Sequence, residues 1–267
     1  MIKYCSVGSG SCGNCHFVGY KDTNILIDAG LSGKRITEGI KDIGEKAENL
    51  KGLFVTHEHS DHIKGAGIIS RKYDIPVFAN LETWRSMKDK IGKIKKENMV
   101  VFENDKNYSI GDIIIRPFSI SHDAANPVGY NICANGGTEK ISIATDLGMI
   151  TDNVKRNLFG SKLVVLESNY DKNMLMAGPY SYALKRRVMS DIGHLSNDEA
   201  GNFCVELIKR GTEKILLAHL SKENNFPELA YETSKGILKS NNINVGKDVL
   251  LSVLLRESIS ELYTVEP

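Results

Sequence analysis

Three histidines and an aspartate lie within residues 56–62 (THEHSDH), directly after a short apolar run. In an extended segment alternate side chains share a face, so His57 and His59 are predicted to point at one spot. Asp61 and His62 are predicted to point at a second spot beside it. Histidine and aspartate are common protein ligands of zinc, manganese and iron. The stretch therefore predicts two adjacent metal ions at the end of a buried strand.

A polar loop that caps a helix, with Asp61 at the helix start, is the alternative interpretation of this stretch. The chain has seven histidines, and three of them lie in these few positions. Capping does not require such a local excess of imidazoles, and a preceding strand gives a metal site rigid support. We therefore favour the metal site.

The spacing His57-x-His59-x-Asp61-His62 resembles the H-x-H-x-D-H signature of the metallo-β-lactamase-fold hydrolases. The resemblance implies an α/β fold, namely an αββα four-layer sandwich with mixed sheets. It also implies two divalent metal ions per chain, of zinc, manganese or iron. The first ion would be bound by His57, His59 and His122, the second by Asp61, His62 and His219, and Asp146 would bridge the two.

Three polar residues outside the histidine-rich stretch follow predicted strands. His122 and Asp146 come after strands that end at residues 120 and 145. Active sites of open α/β sheets lie at the carboxyl ends of strands. Asp28 ends a third apolar strand, where a buried charge needs a partner. The resemblance implies that Asp28 lies beneath the metals and orients the histidine loop, whereas turn preference alone would make it a turn former.

Motifs further along the chain, mainly in its third quarter, make the resemblance specific to one group of these hydrolases. Three of these motifs and the opening turn resemble the YycJ (WalJ) group of metallo-β-lactamase-fold exonucleases. The motifs are residues 167–171 (ESNYD), 191–197 (DIGHLSN) and 219–225 (HLSKENN), and the turn is at 8–14. This resemblance implies a 5′-to-3′ exonuclease that acts on DNA, with mismatch repair as one setting. Two residues depart from the group's pattern, Tyr170 where histidine is common and Ser181 where proline is common.

The resemblance also implies roles for residues around the metals. Asp61 would orient a hydroxide that attacks phosphorus, and His194 would protonate the departing 3′ oxygen, a structural role being the alternative for His194. Residues 196–199 (SNDE) match a helix capping box, and a helix start also offers free N–H groups to a phosphate. The further catalytic candidate is Glu167, and the substrate-binding candidates are Asn169, Lys185, Arg187, Ser196 and Asn197.

The composition is that of an ordinary soluble globular protein, with 267 residues, 41% hydrophobic and 25% charged. We expect one domain over residues 1–267, built from two half-sandwiches at about 1–120 and 121–267. A formal net charge of +1 argues against a strongly basic nucleic-acid-binding surface. DNA would therefore be held by local groups and by the metals. A homodimer is compatible with the sequence.

The amino terminus lacks the apolar segment of a signal peptide, and no stretch is long and apolar enough to span a bilayer. Five cysteines, an odd number, fit a reducing compartment better than a disulfide framework. The sequence therefore predicts a cytoplasmic protein without membrane contact. Residues 12–16 (CGNCH) also match a haem-attachment pattern, but the opening turn of the family explains them better.

Other functions are compatible with the metal motif. A small-ester or thioester hydrolase such as a glyoxalase II, and an RNA or cyclic-nucleotide phosphodiesterase, would share the fold. A phosphate-binding helix start with basic residues nearby favours a phosphodiesterase over the first of these. A non-catalytic nucleic-acid-binding protein of this fold is expected to have lost metal ligands, and every ligand position is filled here.

Local patterns also predict individual elements around the motif. Helices are expected at residues 62–72, 81–91 and 196–210, with a strand at 75–79 between the first two. Strands that alternate with helices predict an α/β architecture.

Overall fold

The computed structural model describes residues 1–134 and 136–266. Within this part of the chain, two seven-stranded β-sheets pack face to face. The apolar core between them draws on both sheets, with Phe54 and Phe78 from one and Tyr130 and Ile132 from the other. A second core lies between the first sheet and the helices outside it, and a third lies between the second sheet and its own outer helices. The four layers confirm the predicted αββα sandwich with mixed sheets.

The first sheet is antiparallel at one end and parallel at the other. Its central strand β3 (Thr23–Ile27) is buried at every position, because helices cover one face and the second sheet covers the other. The other strands of this sheet are β1 (Ile2–Gly8), β2 (Cys15–Tyr20), β4 (Leu50–Phe54), β5 (Val77–Asn80), β6 (Met99–Phe102) and β14 (Tyr263–Val265), and the spatial order is β14-β1-β2-β3-β4-β5-β6.

The second sheet repeats this plan, with antiparallel strands β7 to β10 followed by parallel strands β10 to β13. Its parallel half carries the apolar runs of the second half of the sequence. The strands are β7 (Tyr108–Ile110), β8 (Ile113–Ser119), β9 (Val128–Ala134), β10 (Lys140–Ala144), β11 (Leu163–Glu167), β12 (Lys214–Ala218) and β13 (Leu250–Val253), in the spatial order β13-β12-β11-β10-β9-β8-β7.

The helices follow the strands in both halves. Most of them begin at a side-chain cap, such as Ser32, Asn80, Thr151 or Ser181, whose oxygen accepts a backbone N–H of the first turn. They are α1 (Gly33–Asp42), α2 (Ser60–Ile63), α3 (Ala66–Tyr73), α4 (Leu81–Met87), α5 (Asp152–Leu158), α6 (Lys172–Ala177), α7 (Tyr182–Val188), α8 (Asn197–Lys209) and α9 (Pro227–Ser240).

The helix predicted at residues 62–72 is two helices, α2 and α3, with a break at Gly65. The Gly65 N–H donates to the Ala29 carbonyl at 2.7 Å, and a Cβ at this position would lie 2.3 Å from the Leu31 carbonyl oxygen. The chain bends here because it must stay against the loop after β3. The other difference is that α4 ends at Met87 rather than at residue 91.

The two sheets divide the chain differently from the predicted boundary near residue 120. The chain leaves the first sheet after β6 and enters the second at β7, so strands before residue 120 already belong to the second half. The strand β14 then returns to pair with β1. The boundary is therefore wrong, because β8 pairs with β9 in a continuous antiparallel ribbon. Among the described residues, no helix is long and apolar enough to cross a membrane.

Candidate metal centre

The candidate site lies where the parallel strands of both sheets end. The loop after β4 carries the histidine-rich stretch, Asp146 follows β10, Glu167 ends β11, and His219 follows β12. Several side chains from these segments line a pocket of about 260 Å³. Its lining consists of Ser11, His59, Asp61, His122, Asp123, Asp146, Asn169, Tyr180, Leu184, Arg187, Val188, Gly193, His194, His219, Ser221 and Asn224.

Three of the strand-end residues have a left-handed backbone. The φ angles of Asp28, Asp146 and His219 are 60°, 58° and 56°. This conformation is uncommon for residues other than glycine, and it persists where the surrounding structure fixes it. In each case it turns the chain sharply, so that the side chain after the strand lies at the site.

Asp28 is buried beneath the histidine loop, where the resemblance predicted it. Its Oδ1 accepts the Thr56 N–H and its Oδ2 accepts the Thr56 hydroxyl, both at 2.8 Å. Oδ2 also accepts Nδ1–H of His62 at 2.7 Å. The carboxylate therefore fixes the His62 ring so that Nε2 faces Asp146, whose Oδ2 is 3.1 Å away.

His57, His59 and His122 form the first candidate ligand group. Nε2 of His57 lies 3.0 Å from Nδ1 of His59. Nδ1 of His122 donates to the Gly193 carbonyl at 3.1 Å, which leaves its Nε2 for the site. One nitrogen from each ring lies within 4.8 Å of the other two, as ligands of one ion must.

Asp61, His62 and His219 form the second candidate group. His219 donates from Nδ1 to Glu167 Oε1 at 2.9 Å, and its Nε2 lies 3.6 Å from Asp61 Oδ2. That Nε2 is buried and makes no hydrogen bond among the described residues. Buried polar atoms are normally paired. A buried imidazole nitrogen without a hydrogen bond, within this cluster, fits a bound cation.

The Asp146 carboxylate lies between the two groups. Its Oδ1 is 3.6 Å from Nε2 of His122 in the first group and 3.5 Å from Nδ1 of His219 in the second. Its Oδ2 is 3.1 Å from Nε2 of His62, also in the second group. The carboxylate is therefore close to both groups. Burial lowers the pKa of His62, but Asp28, Asp146 and Asp61 outweigh burial and raise it well above the ordinary value. The same negative field would stabilise divalent cations at this position.

His194 lies beside the second group at the edge of the pocket. Its Nδ1 donates to Glu167 Oε1 at 2.8 Å, and its backbone N–H donates to the Val188 carbonyl at 2.9 Å. Burial lowers the pKa of His194, but the Glu167 carboxylate outweighs burial and raises it. Glu167 also accepts the Leu147 N–H at 2.6 Å through Oε2. Glu167 is thus a fully buried positioning group for His194 and His219, not a group that lines the pocket.

The loop around Gly193 can adopt its path only because this residue lacks a side chain. An added Cβ would lie 2.3 Å from the carbonyl oxygens of both Arg187 and Val188. These are backbone atoms, so the loop itself would have to move. The Gly193 carbonyl fixes His122 and the next residue is His194, so two site histidines depend on this contact.

We therefore expect Gly193→Ala to lower hydrolytic activity by at least about 100-fold, since small misplacements of reacting groups have costs of that size. The overpacking should also lower the free energy of unfolding by about 1–3 kcal/mol. Gly236→Ala is the matched control, because Gly236 has no neighbour within 4 Å of the added Cβ. Activity and thermal melting of both variants should be measured together. A Gly193→Ala enzyme with normal rate and normal melting would contradict this account of the loop.

The predicted substrate-binding residues are only partly brought together. Asn169 and Arg187 line the pocket. Asn169 Nδ2 donates to the His219 carbonyl at 2.7 Å, and the Arg187 Nε donates to Asp123 Oδ2 at 2.5 Å. Lys185 lies outside the pocket lining, and its ammonium donates to the Met176 carbonyl at 2.6 Å.

Ser196 and Asn197, which were also predicted to bind substrate, lie outside the pocket lining. The capping box is present as predicted, with Ser196 and Glu199 exchanging hydrogen bonds at the start of α8. Ser196 and Asn197 are 0% and 1% exposed, and the Asn197 amide donates to Asn225 at 3.0 Å. The helix start is therefore satisfied from within the protein and does not offer its N–H groups to a phosphate.

Several lining residues were missed by the sequence analysis. Tyr180, Leu184 and Val188 form one apolar side of the pocket, and their spacing of four residues was the available signal. Asp123 directly follows the predicted ligand His122, which was also a usable signal. Asn224 reaches the pocket from the loop after β12, and its place in the 219–225 motif was the available signal.

Residues 23–220 match the family model described as the beta-lactamase superfamily domain. The fold and the ligand cluster agree with that match. The chain belongs to this superfamily and is a metal-dependent hydrolase of the metallo-β-lactamase fold.

Two curated relatives are similar over almost the whole chain. The exodeoxyribonuclease YycJ of Bacillus anthracis is 39% identical over 246 residues, which are 92% of this chain and 92% of that protein. The exodeoxyribonuclease WalJ of Streptococcus pneumoniae is 38% identical over 249 residues, again 92% of each. Within the superfamily, the chain belongs to the YycJ/WalJ group, as the motifs predicted.

Solved structures with lower identity share the fold. The metallo-β-lactamase-fold protein YhfI of Bacillus subtilis has a TM-score of 0.71 at 16% identity, covering 98% of this chain and 100% of that one. The short form of human tRNase Z has a TM-score of 0.63 at 12% identity, covering 98% and 100%. The αββα architecture is therefore retained at identities where few side chains are shared.

Proposed function

We propose that the protein is a two-metal phosphodiesterase that degrades DNA from the 5′ end. The observation that carries the proposal is the Asp146 carboxylate, which lies 3.6 Å from His122 in one ligand group and 3.1 Å from His62 in the other, with His194 lining the same pocket. This arrangement fits two adjacent cations with a proton donor beside them. The names of the two exodeoxyribonuclease relatives support DNA as the substrate.

The ligand sets follow the two groups in the structure. His57, His59 and His122 would bind one cation and Asp61, His62 and His219 the other, with Asp146 shared. Nitrogen and carboxylate ligands of this kind suit zinc, manganese or iron. When bound, two such cations lower the pKa of water and neutralise charge on a phosphate.

The chain's own residues supply orientation and a proton. Asp61, which is less buried than the histidines around it, would orient the attacking water between the two ligand groups. His194, fixed through Nδ1 by Glu167, would donate a proton from Nε2 to the departing sugar oxygen. Glu167 and Asp28 would act through the histidines that they orient. Arg187, on the pocket wall, is the candidate contact for a terminal phosphate.

The experiment is digestion of single-stranded DNA and RNA, labelled at either end, by the purified protein with Mn²⁺, beside a thioester substrate. We expect short products from the 5′ end of DNA and no thioester cleavage. Circular single-stranded DNA cut as fast as linear DNA would identify an endonuclease instead. Faster thioester cleavage would identify a hydrolase of the glyoxalase II type.

A terminal phosphate should speed digestion through Arg187. A guanidinium gains charge-assisted hydrogen bonds from a 5′-monophosphate that a 5′-hydroxyl cannot make. We expect Arg187→Ala to remove most of the preference for 5′-phosphorylated DNA, and Lys185→Ala, outside the pocket lining, to leave it intact. The rates on both 5′ ends should be compared for each variant. An equal preference in all three proteins would exclude Arg187 as the phosphate contact.

A further inference from the structure

The pocket has an apolar side that the metal chemistry does not use. Tyr180, Leu184 and Val188 line it together with His122 and His194. Behind this side is a small hydrophobic cluster of its own, formed by Tyr170, Leu175 and Val188, against which Tyr180 and Leu184 pack. The side is therefore a supported surface, not a set of mobile side chains.

This apolar side is fixed relative to the proton donor. Val188 ends α7, and its carbonyl accepts the backbone N–H of His194 at 2.9 Å. The close approach of Gly193 to the same carbonyl holds the two segments together. A group that packs on Tyr180 and Leu184 would thus lie at a defined position beside His194.

The pocket lining also includes polar, uncharged residues, which are Ser11, Asn169, Ser221 and Asn224. Asn224 is 1% exposed and its Nδ2 donates to Ser221 Oγ at 3.4 Å, so it is a fixed part of the wall. The Ser11 side chain is exposed, and its hydroxyl can hydrogen-bond to the polar edge of a ligand.

The charged residues around the pocket also limit which chemical groups of a substrate can bind there. Among the described residues, the only lysine or arginine that lines the pocket is Arg187. It can hold one terminal phosphate, and the rest of the lining away from the metal ligands offers no cation for another. A flat, neutral ring with polar edges fits a lining that combines an aromatic side chain with uncharged polar ones.

We infer that Tyr180, Leu184 and Val188 form a nucleobase subsite next to the candidate metal centre. The inference rests on the proposed function, since it identifies the substrate of that site as a nucleotide whose base is unpaired. Stacking on an aromatic ring is tolerant of sequence, because every base has a π-face. A base held there cannot also be paired, so single-stranded or frayed ends should be digested faster than blunt duplex ends.

Ligand binding tests the subsite without depending on catalysis. Calorimetry should compare thymidine 5′-monophosphate with its base-free analogue, 1′,2′-dideoxyribose 5-phosphate, on the full-length protein in Mn²⁺. We expect the wild type to bind the nucleotide about 10-fold more tightly than the analogue, within the range that base stacking supplies. Tyr180→Ala should abolish this preference, and Tyr180→Phe should keep it because the ring remains. Tyr182→Ala is the matched control, because Tyr182 is 71% exposed and lies outside the lining.

Digestion provides the second measurement. Tyr180→Ala should slow cleavage of a normal oligonucleotide by about 10-fold, but should scarcely change cleavage of one with an abasic residue at the same position. Equal losses on both oligonucleotides, or equal binding of nucleotide and analogue by the wild type, would overturn the subsite. If the wild type binds the nucleotide preferentially but cuts no DNA, the proposed exonuclease function fails while the base subsite stands.

Discussion

Asp61→Asn should lower the rate of phosphodiester cleavage by at least about 100-fold while leaving the fold intact, because misplacing a reacting group has costs of this order. The backbone at this position is anchored independently of the side chain. The Asp61 carbonyl accepts the Asn14 N–H at 2.8 Å and packs against Gly30, where a Cβ would lie only 1.6 Å away. The substitution therefore removes a negative oxygen near His62 and His219 without releasing the loop.

The measurement is steady-state cleavage of end-labelled DNA together with thermal melting. Asp89→Asn is the matched control, since Asp89 is exposed and lies outside the pocket lining. A near-normal rate for Asp61→Asn, at normal melting temperature, would show that Asp61 does not orient the reacting water.

His194→Ala should slow cleavage of DNA by about 10²- to 10⁴-fold, the usual contribution of a general acid. It should slow a nitrophenyl phosphodiester of thymidine much less. The sugar oxygen of DNA is a poor leaving group that needs a proton, whereas nitrophenolate departs without one. The comparison of the two substrates therefore isolates proton donation from binding.

His194→Asn is the matched variant for this test. An asparagine amide can keep a donor near Glu167 Oε1, which accepts Nδ1–H of His194 in the native protein, but it supplies no acid. We expect it to lose activity on DNA as His194→Ala does. Equal losses on DNA and on the nitrophenyl diester, in both variants, would assign His194 to substrate binding or to structure.

The residues of the candidate metal centre could be selected from the sequence because their signals are local. The His57 to His62 spacing identifies one half of the site, and His122, Asp146 and His219 each follow an apolar strand. The resemblance to a family then connected these separate segments. The structure brings these segments to one site, with Asp146 and His219 at the carboxyl ends of parallel strands and His122 after the antiparallel strand β8.

The substrate side could not be predicted in the same way. Ser196 and Asn197 match a capping box, and that role uses the polar groups that a phosphate would need. Lys185 is close to His194 in sequence, but this closeness does not determine where the lysine side chain points. The Lys185 ammonium donates to the Met176 carbonyl instead. Contacts such as that of Asn224 with the pocket also depend on how distant loops pack, even where a motif contains the residue.

The predicted boundary between the two half-sandwiches, near residue 120, differs from the structure for a related reason. The strands β7 and β8 precede residue 120, but their partners lie beyond it, so pairing and not chain position decides which sheet they join. The last strand β14 closes the first sheet by a contact between the two ends of the chain. Pairing over such separations is set by the packed core.

The most direct test of the central claim, that two cations share Asp146, is the metal content of protein purified without chelator. Elemental analysis with anomalous diffraction at each metal edge would give both the number and the positions of the ions. We expect more than one divalent ion per chain, on either side of the Asp146 carboxylate, and a lower content in His59→Ala. A metal-free protein that cleaves DNA at full rate would contradict the account.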